Sequence, residues 1–114
     1  MKGKPFIHLV AVEYLPELES ESVKWVTEVH IPMLFAFKGL KKAELYKRVY
    51  EAPEYPSYMC LYEFDSKSAF EEFDSSSELA IARKDAMERW KEGDNEIKWR
   101  VQYELMWEAG QDEP

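Results

Sequence analysis

The segment Glu28-Val29-His30-Ile31-Pro32-Met33-Leu34 carries one of the chain's two histidines, two residues before a proline. An imidazole titrates near neutral pH, so His30 can take or give a proton without help from a cofactor. Val23, Val26, His30, Met33 and Phe37 recur at intervals of 3, 4, 3 and 4 residues, the spacing of one helical face. His30 therefore falls at an inward-facing position. Pro32 has no N–H to give the carbonyl of Glu28 and disfavours helical geometry at Ile31, so the helix is expected to break or kink there. The bland alternative makes His30 a packing residue that satisfies backbone beside that kink. His8, the second histidine, is expected to be hydrogen-bonded within a sheet, with a lesser claim to a cavity face.

These residues need elements to position them. Phe6 to Leu15 reads as a strand ended by Pro16, with Ile7, Leu9 and Ala11 on one face and His8, Val10, Val12 and Tyr14 on the other. Both faces are largely apolar, so this strand should be central and covered on both sides. Glu19-Ser20-Glu21-Ser22 opens a helix that runs to about Ile31. Pro32 can begin a further short turn, closed by Gly39 as a C-terminal cap. Leu40 to Glu51 alternates, with Ala43, Leu45, Lys47 and Val49 set against Glu44, Tyr46, Arg48 and Tyr50. The proline-rich connection Ala52–Pro56 leads to a third strand, Ser57 to Phe64. Either face of these two strands can meet the helices.

Asp65 or Ser66 caps the next helix, which carries Phe70 and Phe73, and Ser68 with Glu71 offers a capping box one turn on. Ser75 with Glu78 forms a second box, opening a helix with Leu79, Ala82, Ala86 and Trp90 on one face. Gly93-Asp94-Asn95 ends it. In the last strand Ile97, Trp99, Val101, Tyr103, Leu105 and Trp107 alternate with Lys98, Arg100, Gln102, Glu104, Met106 and Glu108. Arg100, Gln102 and Glu104 are expected to face an intersubunit space or solvent.

Composition narrows the partners. The 114 residues suit one domain over 1–110, with 111–114 a short acidic tail expected to fray. A net charge of −8 argues against a nucleic-acid partner, which requires clustered lysine and arginine. Cys60 is the sole cysteine, so neither an intramolecular disulfide nor a cysteine metal cluster is expected. With two histidines and one cysteine, no metal site and no cofactor are expected. No apolar run of about 18 residues and no targeting segment is visible, so no membrane partner is expected and the cytoplasm is the default location.

The element order, strand, helix, strand, strand, helix pair, strand, is βαββαβ. This α+β layout is ferredoxin-like: a four-stranded antiparallel sheet with helices on one face. If the helices cover one face only, the other face of an apolar central strand needs a cover. A second copy, sheet against sheet, supplies it most economically, so a homodimer through the open sheet face is expected.

In this arrangement the chain resembles the EthD-like proteins of the dimeric α/β-barrel superfamily. The features that carry the resemblance are the strand Phe6-Ile-His-Leu-Val-Ala-Val-Glu-Tyr-Leu-Pro16, the segment His30-Ile-Pro32-Met-Leu34 followed by Gly39-Leu40, the passage Tyr62-Glu-Phe-Asp-Ser66, and Leu79-Ala-Ile-Ala-Arg-Lys-Asp-Ala-Met87 before the last strand. They span nearly the whole chain. Met33 stands where the family tends to place leucine directly after the proline, a change conservative in volume. The resemblance implies two four-stranded sheets enclosing a barrel, with small organic ligands bound between sheet and helices. The superfamily includes isomerases, cyclases, cofactor-free monooxygenases and haem-degrading enzymes, so fold-level likeness fixes no reaction.

Placed in such a cleft, His30 would act as general acid/base on a small carbonyl or phenolic substrate. Tyr46, Tyr62 or Tyr58 would supply a phenol to steady an enolate, and Arg48 or Arg100 would bind a carboxylate. His8 and Trp25 are further ligand-binding candidates, although large aromatics commonly serve cores and interfaces. Cys60 reads as a small buried hydrophobe. Against this cofactor-free enzyme stands a non-catalytic dimer that holds a small apolar ligand. A haem-handling relative is disfavoured, because neither His8 nor His30 lies in the second helical region.

Overall fold

The computed structural model describes residues 4–111, so residues 112–114 of the acidic tail lie outside the described residues. The strands are β1 (Phe6–Tyr14), β2 (Leu40–Lys47), β3 (Tyr58–Phe64) and β4 (Asn95–Glu104). They form one antiparallel sheet in the order β2-β3-β1-β4. A 3-10 turn (Pro16–Leu18) leads into a helical stretch made of α1 (Glu19–Trp25), a π turn (Val26–His30) and α2 (Ile31–Leu34). Helices α3 (Lys67–Asp74) and α4 (Ser77–Arg89) follow β3. The ferredoxin-like βαββαβ order is present, with β1 central as its two apolar faces require.

The helix-facing side of the sheet carries His8, Val10, Val12 and Tyr14 of β1 and Tyr58, Cys60, Tyr62 and Phe64 of β3. Phe64 is fully buried and sits among Phe37, Phe70 and Phe73 at ring-centroid distances of 4.9–6.5 Å. Such tilted and edge-on packing is what aromatic quadrupoles favour. Leu34, Leu40, Phe73, Leu79 and Ala82 complete this core.

Pro32 does not break the helix. The chain widens one turn before it: the N–H of Ile31 reaches the carbonyl of Val26, five residues back, and the N–H of Phe35 then bonds to Ile31 as in an ordinary α-turn. Thr27 and Glu28 are exposed, so a carbonyl that the proline leaves without an N–H remains within reach of water. Thr27 Oγ1 also donates to the carbonyl of Val23 at 2.8 Å, a back-bond that favours local distortion. The wider turn changes the buried stripe. Ser22, Val26 and Leu34 are its deepest positions, four and eight residues apart, whereas Val23, Met33 and Phe37 are only partly buried. A turn of more than four residues keeps four-residue spacings in line.

Other local expectations shift by a residue or change character. Ser66 caps α3 through the N–H of Ala69 at 3.2 Å, while Ser68 bonds to Ser66 and forms no box. Ser76, not Ser75, caps α4 through the N–H of Leu79 at 3.1 Å. Ser75 turns back to the last carbonyls of α3. Gly39 is no left-handed cap, since Gly93 is the glycine with positive φ among the described residues. Its role is close approach: a Cβ at Gly39 would lie 2.6 Å from Phe37 Cε2 and 3.3 Å from the Cβ of Ala69.

The largest departure is in β4. Ala11 pairs with Trp99 but Val12 pairs with Ile97, so Lys98 is an extra residue in the ladder. This bulge turns Ile97 and Trp99 to opposite faces, although two-residue alternation assigned them to one. Arg100 and Gln102 consequently face the helices, opposite Val10 and His8. Trp99, Val101 and Tyr103 join Ile7, Leu9, Met59 and Leu61 on the other face, which none of the described helices covers. The expectation that Arg100 and Gln102 would face an intersubunit space or solvent is thereby corrected.

Because the Phe37 ring is wedged against Phe64 and Phe73, a methyl group at Gly39 has to displace core rather than a free side-chain end. Gly39→Ala should therefore lower unfolding stability by about 1–3 kcal/mol, the usual cost of overpacking, measured by urea denaturation. An unchanged midpoint would contradict the close-approach role.

Candidate functional site

Between the helices and the β1–β4 half of the sheet lies a cleft of about 770 Å³. Its floor is the helix-facing side of the sheet, with His8, Val10, Tyr62, Arg100 and Gln102; its wall comes from Trp25, His30, Arg83 and Trp90. The size and mainly apolar lining with a few polar groups suit a small organic molecule.

His30 ends the π turn and is held by its neighbours. Its ring stacks on Trp25 with centroids 4.7 Å apart and planes inclined by 25°. Trp25 meets Trp90 edge-on at 5.8 Å and approaches Asp85 of α4 through its indole N–H at 3.4 Å. The guanidinium of Arg89 lies over the Trp90 ring at 4.4 Å, a cation–π contact. His30 Nδ1 and Trp90 Nε1 are buried polar atoms without a hydrogen-bond partner among the described residues. Burial lowers the pKa of His30 and the nearby Asp85 carboxylate partly offsets it, so the ring waits in its neutral, basic form at pH 7.

His8 occupies the floor. Its Nδ1 lies 3.0 Å from the side-chain nitrogen of Gln102, which can only donate, so the neutral ring carries its proton on Nε2. Phe70 packs on the His8 ring at 4.9 Å and Tyr62 at 6.1 Å. Its pKa is pushed down to about 4, first by burial, then by Arg100, with Asp74 opposing and Arg83 adding to the depression. The Tyr62 phenol is held well above its ordinary pKa, chiefly by burial and by the neighbouring Cys60, so it is a proton-bearing donor at neutral pH. Cys60 is buried, and burial raises its thiol pKa.

The structure thus brings together His30, Trp25, His8, Tyr62 and Arg100 around one cleft, and leaves out two residues considered with them. Tyr46 lies on the opposite sheet face, 47% exposed, with its hydroxyl donating to Glu44 at 2.8 Å. Pairing with Met59 rather than Cys60 put it there. Arg48 falls just past the end of β2, where its side chain donates to the carbonyls of Tyr50 at 3.1 Å and Tyr55 at 2.6 Å. It pins the proline-rich connection rather than binding a ligand. Tyr58 is likewise occupied, donating to Glu19 at 2.6 Å with its pKa raised to about 12, first by burial and then by that bond.

Arg83, Asp85 and Gln102 entered the site unannounced. Leu79, Arg83, Ala86 and Trp90 are spaced 4, 3 and 4 residues apart, so Arg83 shares a stripe with apolar neighbours, a signal present in the sequence. Gln102 was hidden by the bulge. Asp85 acts through Trp25, a tertiary contact that no local pattern encodes.

A four-stranded antiparallel ferredoxin-like sheet with helices on one face defines the class, and solved structures share it at low sequence identity. HapK from Hahella chejuensis has a TM-score of 0.71 and 12% identity, over 95% of this chain and 99% of that one. An ethyl tert-butyl ether D (EthD) family protein from Bacillus halodurans scores 0.63 at 19% identity, over 89% and 99%. A protein of unknown function from Thermobifida fusca, described as dimeric and ferredoxin-like, scores 0.61 at 14% identity, over 90% and 92%. The likeness to EthD-like proteins expected above holds at the level of the fold. By sequence, residues 6–93 match the family described as a domain of unknown function, DUF4286, and the chain belongs to that family. None of the curated proteins searched matches it significantly. No described helix is long and apolar enough to cross a membrane.

The half-buried histidines make stability depend on pH with a definite sign. The folded pKa of His8 lies below its ordinary value of 6.5, so the unfolded chain binds the proton more readily and stability falls as pH drops from about 6.5 towards 4. His30 contributes in the same direction. Thermal melts across this range should show a shallower pH slope for His8→Gln than for the native chain. Identical slopes would mean that His8 is not held neutral.

Proposed function

We propose that the protein binds a small organic molecule in this cleft and transfers a proton on it, with His30 as general base and no cofactor. One observation carries the reading: His30 is a half-buried, neutral imidazole with Nδ1 unpartnered among the described residues, stacked on Trp25 in the wall of a cleft large enough for a ligand. The base takes a proton from an acidic C–H or O–H next to a carbonyl or phenol. The imidazolium so formed gains from the Asp85 carboxylate and from the indole face beneath it. The oxyanion left on the ligand is stabilised by a hydrogen bond from the protonated Tyr62 phenol. Return of the proton to a different atom gives an isomer; attack by the enolate carbon within the same molecule gives a ring. The competing non-catalytic role predicts binding without proton transfer.

The working form in this reading is a homodimer joined through the open sheet face. Support comes from Ile7, Leu9, Met59, Leu61 and Val101 on a face that no described helix covers, with Trp99 42% and Tyr103 57% exposed beside them. An apolar surface of this kind is a mark of an interface. Relatives in fold such as the Thermobifida fusca protein are described as dimeric.

Two experiments check these readings. A panel of small β-dicarbonyl and phenolic compounds in D2O, followed by proton NMR, should reveal a compound whose exchange the protein accelerates. His30→Ala should cut that acceleration about 100-fold, in the range typical of general-base removal, while the melting temperature stays near that of the native chain. Unchanged exchange in the variant would remove His30 from the mechanism. Light scattering on the native chain should return twice the 13.5 kDa chain mass, and Leu9→Glu on the open face should shift it to the monomer. A native monomer would overturn the dimer.

A further inference from the structure

The chain has four arginines, and their placement says something about the ligand. Among the described residues the ion pairs are made by Lys41, Lys42, Lys47 and Lys98, and none by an arginine. Arg48 is committed to loop carbonyls and Arg89 to the Trp90 face. The remaining two, Arg83 from α4 and Arg100 from β4, both line the cleft, and both guanidinium charges reach His8.

This is an unusual use of cations in a chain with 23 acidic and 15 basic residues. The charged side chains lining the cleft are Arg83, Lys91 and Arg100 against Asp74 and Glu92, with Asp85 behind Trp25, so cations balance acids there in a protein of net charge −8. Two guanidinium groups brought near one site repel each other, and their order is recovered when an anion lies between them. The aromatic side chains meanwhile offer flat surface: Trp25 and Trp90 on the wall, Phe70 and Tyr62 beside His8.

We propose that the cleft takes a flat organic anion, its ring against Trp25 and Trp90 and its carboxylate, or an equally delocalised oxygen anion, held between Arg83 and Arg100. Resting on the reading of this cleft as the binding site, the inference adds the charge class of the ligand. Neutral His8 fits the same picture, because its Nε2–H is a donor that adds no repulsive charge and its Nδ1 is held by Gln102. The two arginines make the ligand's acid group the anchor, leaving the ring and its substituents towards the helix wall where His30 sits.

The test uses a matched pair of probes, indole-3-acetate and indole-3-acetamide, titrated into the native protein by calorimetry and followed through the Trp25 and Trp90 indole N–H resonances. The acid should bind at least about tenfold more tightly than the amide at low salt, as a charge-assisted pair requires. Raising the salt to about 0.5 M should erase most of that preference by screening these two solvent-exposed charges. The double variant Arg83→Gln, Arg100→Gln should lose the preference for acid over amide. If acid and amide bind alike, the cleft is a neutral-ligand site: this inference fails and the proposed binding function stands. If neither probe moves the Trp25 and Trp90 resonances, both fall. The salt series on the native protein keeps the outcome decisive even if the double variant does not fold.

Discussion

The registration of β4 against β1 is the constraint on which the rest of the molecule depends. β1 is hydrogen-bonded on both sides, to β3 and to β4, so its side chains set the alternation for the whole sheet. One extra residue, Lys98, lets the two ends of β4 present different phases to that alternation. Beyond the bulge, Arg100 and Gln102 stand in the cleft beside Val10 and His8. Before it, Ile97 and Asn95 also face the helices, and Asn95 accepts a hydrogen bond at 3.1 Å from Ser22, a fully buried residue of α1. A regular strand would satisfy one of these ends and turn the other outward. The bulge allows both the anchoring of the first helix and the polar floor of the cleft.

The first helix meets a similar conflict between local rule and global need. A proline within a helix removes a hydrogen bond and crowds the preceding turn, yet the chain must continue far enough to bury Leu34 against the core. The π turn resolves this by placing the five-residue hydrogen bond just before Pro32. His30, at the end of that turn, is thereby laid flat on Trp25, whose indole N–H approaches Asp85 of α4. An imidazole in such a setting is costly to charge, and the same burial that lowers its pKa makes it a competent base at neutral pH.

Fold alone says little about activity, because this sheet-and-helix frame hosts many unrelated chemistries. The information lies in which side chains the frame exposes to one space. Here the sheet sends a histidine, two phenols and a guanidinium to the cleft, and the helices send a second histidine, two indoles and a second guanidinium. On the other sheet face the β1–β4 half is apolar and aromatic, with Ile7, Leu9, Trp99, Val101 and Tyr103.

The sequence by itself determined the class of fold. The apolar stretch of β1 marked the central strand, and the alternation of Tyr58, Cys60, Tyr62 and Phe64 marked β3. The serine-rich breaks marked the starts of α3 and α4 to within a residue. These features are local, since side-chain periodicity and capping act over one turn or one strand. His30 stood out for the same reason, as a polar residue on an apolar helical stripe. Tertiary structure alone decided which sheet face would carry the site. It excluded Tyr46 by its pairing with Met59 and Arg48 by its bonds to loop carbonyls, and it brought in Arg83, Asp85 and Gln102. The places of Tyr46 and Gln102 turn on one inserted residue in each of β2 and β4, at the register shifts beside Leu40 and at Lys98. Each is a small backbone irregularity, stabilised by contacts distant in sequence, that rotates every later side chain to a new face.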